Sequence, residues 1–300
     1  MQTPSGVRVD ASTNYISSLV LDHLFRLLSS VSWNRTRHGL LPFYLFLGRT
    51  VWSKTTHRTL CTRSLPMPST IYTSPSPGFH LASESLWTFL FHTTQHYPNL
   101  PAFIEAATGR VLSRADIRNL SLEFAHGIRT RLPQDSRLFR GDTAMIFSPN
   151  SFAWPIAVLG LLAGGVRSTL ANSAYTPAEL AFQYKDSRAR VVFSHPDLVP
   201  AVIAMFKHIG ISEDEARRRV VVLDFGGNGT ETAREVGVLG LGDLLGHGAL
   251  PEEEKFIGSQ ASETLLLCYS SGTTGKPKGV EVCGFVLVSH RLVEIALDDA

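Results

Sequence analysis

Between Asp142 and Phe225 the chain repeats one alternation, a short unbroken apolar run followed by a longer stretch at helical spacing. "DTAMIFS" (Asp142–Ser148), the run at Arg167–Leu170, "ARVVFS" (Ala189–Ser194) and "RVVVLDF" (Arg219–Phe225) are the strand candidates. A strand with apolar residues at consecutive positions must bury both faces, as happens in a parallel sheet covered by helices on each side. The intervening stretches carry helix punctuation. "SFAWPIAVLGLLAGG" stops on Gly164-Gly165, and "DLVPAVIAMFKHIG" stops on Gly210. "TPAELAFQYKDS" has Thr176 as N-cap, Pro177 at the first helical position and Glu179 at the third. The expected fold class is α/β, a doubly wound, mostly parallel sheet with covering helices and right-handed crossovers.

Upstream, Glu84–Gln95 reads as a short helix, since Leu86, Phe89 and Leu90 recur at helical spacing. "AFIEAATGRVLS" reads as a hairpin turning at Thr108-Gly109. Ser113 then caps a helix whose apolar face is Ile117, Leu120, Phe124 and Ile128. "FGGNGTE" and "PEEEK" read as surface loops.

The hydrophobic fraction of 44% suits a packed core. The net charge of +2 conceals a split. Residues 1–83 carry eight Lys or Arg and two acids, leaving residues 84–300 with 20 of the 28 basic and 24 of the 26 acidic residues. The body is therefore mildly acidic, which argues against a nucleic-acid partner. From His23 to Ser83 there is no Asp or Glu, while Arg26, Arg35, Arg37, Arg49, Lys54, Arg58 and Arg63 accumulate. Two readings of residues 1–66 follow: an organelle transit segment, or an extension upstream of a start at Met67. Either way these residues are expected to be disordered or to pack loosely. Cytoplasmic, peroxisomal and mitochondrial locations all stay open. The apolar run Gly39–Gly48 is too short to span a bilayer and is interrupted by Pro42, so no transmembrane segment is expected. Cys61, Cys268 and Cys283 lack metal or redox spacing and read as structural thiols.

The densest chemistry lies at "YSSGTTGKPKGV" (Tyr269–Val280), which follows the apolar run "ETLLLCYS", read as a buried strand. In open α/β sheets ligands bind at the carboxyl ends of strands. Gly272 and Gly275 let backbone N–H groups approach a ligand, Ser270, Ser271, Thr273 and Thr274 add hydroxyl donors, and Lys278 adds a compact positive charge. Donors and cations around such a concavity suit a polyphosphate. The stretch Ser270–Gly279 is expected to be a loop. It is not a Walker P-loop, because Gly272 and Gly275 stand too close together and Lys276 is followed by Pro277.

Tyr-Ser-Ser-Gly-Thr-Thr-Gly-Lys-Pro-Lys-Gly-Val resembles the AMP-binding motif of the adenylate-forming enzymes, in particular the acyl-CoA synthetase and 4-coumarate–CoA ligase branch. The segment Arg140–Ser194, with Pro149-Asn150-Ser151 before one helix and Tyr175-Thr176 before the next, is similar to the same family. The resemblance runs from about Tyr72 to Val282. It implies ATP-dependent activation of a small carboxylic acid to an acyl-adenylate, then thioester formation with coenzyme A. The implied cofactors are ATP, magnesium and coenzyme A, with Thr273 or Thr274 offering an oxygen toward the metal.

The resemblance breaks after Val282. "CGFVLV" (Cys283–Val288) separates "GVEV" from Ser289-His290, and the family's Asn is absent after Arg291. The segments that bind adenine and ribose in the family, and its lid with a catalytic Lys, have no counterpart. The chain therefore reads as a basic leader (1–66), a partial AMP-binding domain (67–282) and an aberrant tail (283–300), which is either a surface insertion or translated intron. No catalytic residue is assigned. The expectation is an inactive truncated ligase, with a non-catalytic remnant that binds phosphate, nucleotide or a partner as the alternative.

Overall fold

The computed structural model describes residues 85–91, 97–106, 108–227, 229–270 and 277–284. The expectations for residues 1–66 and for most of the tail lie outside these residues. Helix α1 (Leu86–Phe91) buries Leu86, Trp87, Leu90 and Phe91. A two-stranded antiparallel sheet follows, from β1 (Pro101–Ile104) and β2 (Val111–Ser113). The Gly109 that turns this hairpin has φ +71, a left-handed conformation. Helix α2 (Arg114–Thr130) starts on a capping box: Ser113 Oγ accepts from the Asp116 N–H, and the Asp116 carboxylate accepts from the Ser113 N–H. Ile117, Phe124 and Ile128 on its inner face are fully buried.

Seven strands form the main sheet: β3 (Thr143–Phe147), β4 (Arg167–Leu170), β5 (Val191–Ser194), β6 (Val220–Val222), β7 (Leu239–Gly240), β8 (Thr264–Ser270) and β9 (Lys278–Cys283). Their order is β7-β6-β5-β3-β4-β8-β9, and every pairing is parallel except β8 with β9. The expected doubly wound sheet is thus observed. Ala144 and Ile146 of β3 join the core on one face, where α2 and α3 (Ala153–Ala163) pack. Met145 and Phe147 point to the other face, against α4 (Pro177–Asp186) and α5 (Val199–His208). This period of two, with both sets apolar, is why the strands read as unbroken hydrophobic runs. Helix α3 is buried at all eleven positions, so it carries no polar face. Helix α4 begins at the predicted Thr176–Glu179 capping box with Pro177 at its first position. Helix α6 (Glu213–Arg218) precedes β6. Among the described residues no helix is long and apolar enough to cross a membrane.

Three expectations need correction. "FGGNGTE" is not wholly a loop, because helix α7 (Gly229–Val236) begins inside it. The Asp224 carboxylate accepts from the Gly229 N–H at 2.5 Å, satisfying a helix-start donor that the glycine run obscured. Strand β8 is buried only at Leu265 and Leu266; Leu267, Cys268 and Tyr269 are half-buried and Ser270 is exposed. The loop expected over Ser270–Gly279 is shorter, because Lys278 and Gly279 belong to β9, paired with Ser270 and Tyr269. Strand β9 continues through Cys283, opposite Thr264.

At the opposite end of β8, a charged clasp fixes the incoming chain. Arg140 donates from Nη2 and Nε to the two oxygens of Glu263, at 2.8 and 3.3 Å, and stacks on Phe256 at 4.5 Å. Glu254 bridges Arg140 and Arg129, with the Arg129 contact at 2.6 Å. Glu263 immediately precedes β8, so the clasp sets where that strand enters the sheet.

Candidate functional site

The chain moves from β3 to β4 in one direction across the sheet, through α3, and then back over β3 to β5, through α4 on the opposite face. Strand order therefore reverses at the carboxyl ends of β3 and β4, the place where open α/β sheets form a ligand crevice. Ser148 and Asn150 follow β3 there, and Asn172 follows β4, its Oδ1 accepting from the Ala174 N–H at 3.0 Å in an Asx turn. Strand β8 lies directly beside β4, with Ser168 opposite Leu266 and Thr169 opposite Leu267. Ser270, where β8 ends, thus stands next to the reversal point.

Ser270 and Lys278 face each other as the last pair of the β8–β9 hairpin, and both are exposed. Lys278 makes no ion pair with any described residue, so its ammonium is available to an anion. Ser271, Gly272, Thr273, Thr274 and Gly275 lie outside the described residues. What is on view is therefore the base of the predicted site: one hydroxyl and one cation held opposite each other by main-chain pairing.

Two supports of that base escaped sequence reasoning. The Tyr269 hydroxyl donates to Asp186 Oδ2 at 2.6 Å, joining β8 to the end of α4 across 83 positions. Gly279, opposite Tyr269, makes room for the phenol ring: a Cβ there would stand 3.1 Å from Tyr269 Cζ and 3.2 Å from its hydroxyl. Burial, and then the Asp186 carboxylate, push the Tyr269 hydroxyl well above the ordinary phenol range. Helix α4 is itself pinned to β4, since buried Gln183 donates from Nε2 to Thr169 Oγ1 at 2.9 Å and to the Leu170 carbonyl at 3.1 Å. The only sequence signal for these contacts was the aromatic residue in the motif and a glycine two residues after its proline.

Cys268 does not offer a nucleophile, because burial pushes its thiol up and keeps it protonated. Among the described residues no group of three or more His, Cys, Asp or Glu side chains could hold a metal ion. Thr273 and Thr274, the hydroxyls expected to approach magnesium, lie outside the described residues, and no step is derived through a metal. Lys278 and Ser270 present one cation and one hydroxyl, the kinds of group a phosphate chain pairs with.

Comparison with known proteins matches this geometry. The chain is 29% identical over 242 residues to 4-coumarate–CoA ligase-like 3 of Oryza sativa subsp. japonica, covering 74% of this chain and 36% of that protein. It is 30% identical over 223 residues to 4-coumarate–CoA ligase-like 8 of Arabidopsis thaliana, covering 74% of this chain and 38% of the relative. The chain thus spans little more than a third of the length of these relatives. Among solved structures, a long-chain-fatty-acid–CoA ligase from Archaeoglobus fulgidus superposes with a TM-score of 0.58 at 20% identity, covering 76% of this chain and 42% of that one, which shows the shared fold. The AMP-binding enzyme family matches residues 90–291. With the reversed strand order and this match over two thirds of its length, the chain belongs to the AMP-binding, adenylate-forming enzyme family.

Proposed function

We propose that this chain forms the polyphosphate-binding part of a ligase that activates a small carboxylic acid with ATP and passes the acyl group to coenzyme A. The observation that carries the reading is the β8–β9 hairpin, whose Ser270 and Lys278 face each other at the carboxyl edge beside the strand-order reversal. In the first half-reaction a carboxylate oxygen attacks the α-phosphorus of ATP, the bond to the β-phosphate breaks, and pyrophosphate leaves. In the second, the coenzyme A thiol attacks the acyl carbon and AMP leaves. Adenylation needs charge neutralised on the departing pyrophosphate more than it needs covalent help. Lys278 supplies that charge, and Ser270 with the hydroxyls of Ser271, Thr273 and Thr274 supplies donors. Thr273 or Thr274 would offer an oxygen to a magnesium ion, which would neutralise further phosphate charge.

The proposal extends to the 300 residues themselves: they hold a polyphosphate without turning ATP over. The phosphate-directed groups on view, Ser270 and Lys278, support the binding part of this proposal. Binding of ATP and inorganic pyrophosphate by calorimetry, together with carboxylate-dependent pyrophosphate release, tests both parts. Lys278→Ala should weaken binding by roughly 1.5–3 kcal/mol, the range for a hydrogen bond to a charged partner. Wild-type affinity in that variant would remove the phosphate role, and acid-dependent pyrophosphate release by the unaltered chain would overturn the binding-only reading.

A further inference from the structure

We propose that Asp186 is a positioning residue for the phosphate-directed pair Ser270–Lys278: its carboxylate holds the Tyr269 hydroxyl and thereby fixes where Ser270 leaves the sheet. The inference rests on the phosphate-binding reading above and adds to it the device that aims the hairpin. Three observations carry it.

The first is reach. Tyr269 is one residue before Ser270, and its ring lies between the Asp186 carboxylate, at 2.6 Å, and the open face of Gly279. A phenol tied by that hydrogen bond and seated over Gly279 resists following a fraying strand end, which helps the last pair Ser270–Lys278 keep its register. Register matters because a one-residue slip of β8 would turn every side chain to the other face. The second is the rigidity of the anchor. Helix α4 is closed at its start by the Thr176–Glu179 capping box and clamped in its middle by Gln183. A site held by a rigid element keeps its geometry better than one held by a loop. The third is that Asp186 goes against its own helix. It is the last residue of α4, where the helix dipole disfavours an anion. It forms no ion pair with any described residue, so local helix energetics do not explain a carboxylate there. Its hydrogen bond to a strand 83 residues away does. The environment keeps the Tyr269 hydroxyl protonated, and therefore a donor to that carboxylate, at ordinary pH.

The experiment uses the full 300-residue chain and compares Tyr269→Phe, Asp186→Asn, the double variant and Glu281→Gln. Glu281 accepts from Thr264 Oγ1 at 2.7 Å toward the far end of the same hairpin, so its variant controls for general loosening of β8 and β9. Two readouts are taken: affinity for inorganic pyrophosphate by calorimetry, and hydrogen–deuterium exchange of peptides covering residues 270–278. We expect each single latch variant to weaken pyrophosphate binding about tenfold and to speed exchange about tenfold, with the double variant no worse than either single. Glu281→Gln should change neither. Thermal midpoints should stay within about 2 °C of wild type, since the bond removed is exposed. Wild-type affinity and exchange in both single variants would overturn the latch, as would additive losses in the double variant or an equal loss in Glu281→Gln. If the unaltered chain binds no pyrophosphate, the phosphate-binding reading falls, and the exchange measurement still decides the latch alone. If Asp186→Asn unfolds, Tyr269→Phe, which removes one hydroxyl, carries the test.

Discussion

At the scale of single residues, the backbone exposes two costs that side-chain chemistry hides. Arg188, just past the end of α4, has φ +54, the only positive value at a non-glycine position among the described residues. A left-handed backbone costs an L-residue about 1–2 kcal/mol, and glycine gives back about half of that through its freer unfolded chain. Arg188 is exposed and forms no ion pair among the described residues, so Arg188→Gly should stabilise the protein by about 0.5–1 kcal/mol in a urea titration. Gly127 shows the reverse. It lies inside α2, where alanine is intrinsically better by about 1 kcal/mol. A Cβ there would nevertheless stand 2.3 Å from the Leu244 carbonyl oxygen and 2.8 Å from Leu244 Cβ. The carbonyl is main chain and cannot step aside cheaply. Gly127→Ala should therefore lower stability by about 1–2 kcal/mol, the overpacking penalty exceeding the propensity gain.

At the scale of elements, helix starts depend on pH. The Ser113 hydroxyl and then its N–H hold the Asp116 carboxyl below the ordinary range, and the Thr176 N–H and then its hydroxyl do the same for Glu179. A carboxyl whose folded pKa is depressed adds stability above its unfolded pKa, and that stability is lost as pH falls through the folded pKa. Both contributions are therefore complete at neutral pH, begin to fall below about pH 4.5, and are gone only once the pH lies below the depressed folded values. The paired variant Asp116→Asn with Glu179→Gln should flatten the loss of urea midpoint between pH 6 and pH 3. A curve parallel to wild type would show that other carboxylates dominate. These caps also show what the sequence revealed. Thr176, Pro177 and Glu179 mark the start of α4 by their spacing alone, and the strands of the sheet announced themselves by burying both faces. Helix α7 was hidden because its cap, Asp224, lies five residues upstream across a run of glycines. Strand β9 was hidden because an exposed edge strand carries Lys278, Gly279 and Glu281 in place of an apolar pattern. The Tyr269–Asp186 contact joins residues with no periodic relation, so nothing local encodes it.

At the scale of the whole molecule, the site is assembled from two directions. Its carboxyl-edge neighbours come from β3 and β4, while its own strand is located from the amino edge by the clasp of Arg140 with Glu254 and Glu263. Arg140→Met keeps the apolar stem over Phe256 but removes the charge. It should cost about 1–2 kcal/mol, more than an isolated surface pair because one guanidinium serves two carboxylates and a carbonyl. It should also speed amide exchange in β8 more than in β5, and uniform exchange across both strands would show that the clasp has no special hold on β8. The antiparallel hairpin has a further consequence, in the order of assembly. Ser270 and Lys278 are eight positions apart, whereas Ser168 and Leu266, which seat β8 on β4, are separated by 98. A hairpin closes in about 1–10 μs, while pairing across so long a loop belongs to the slow, late part of folding. The Ser270–Lys278 pair can thus form from near neighbours on a nascent chain well before it acquires its address in the sheet.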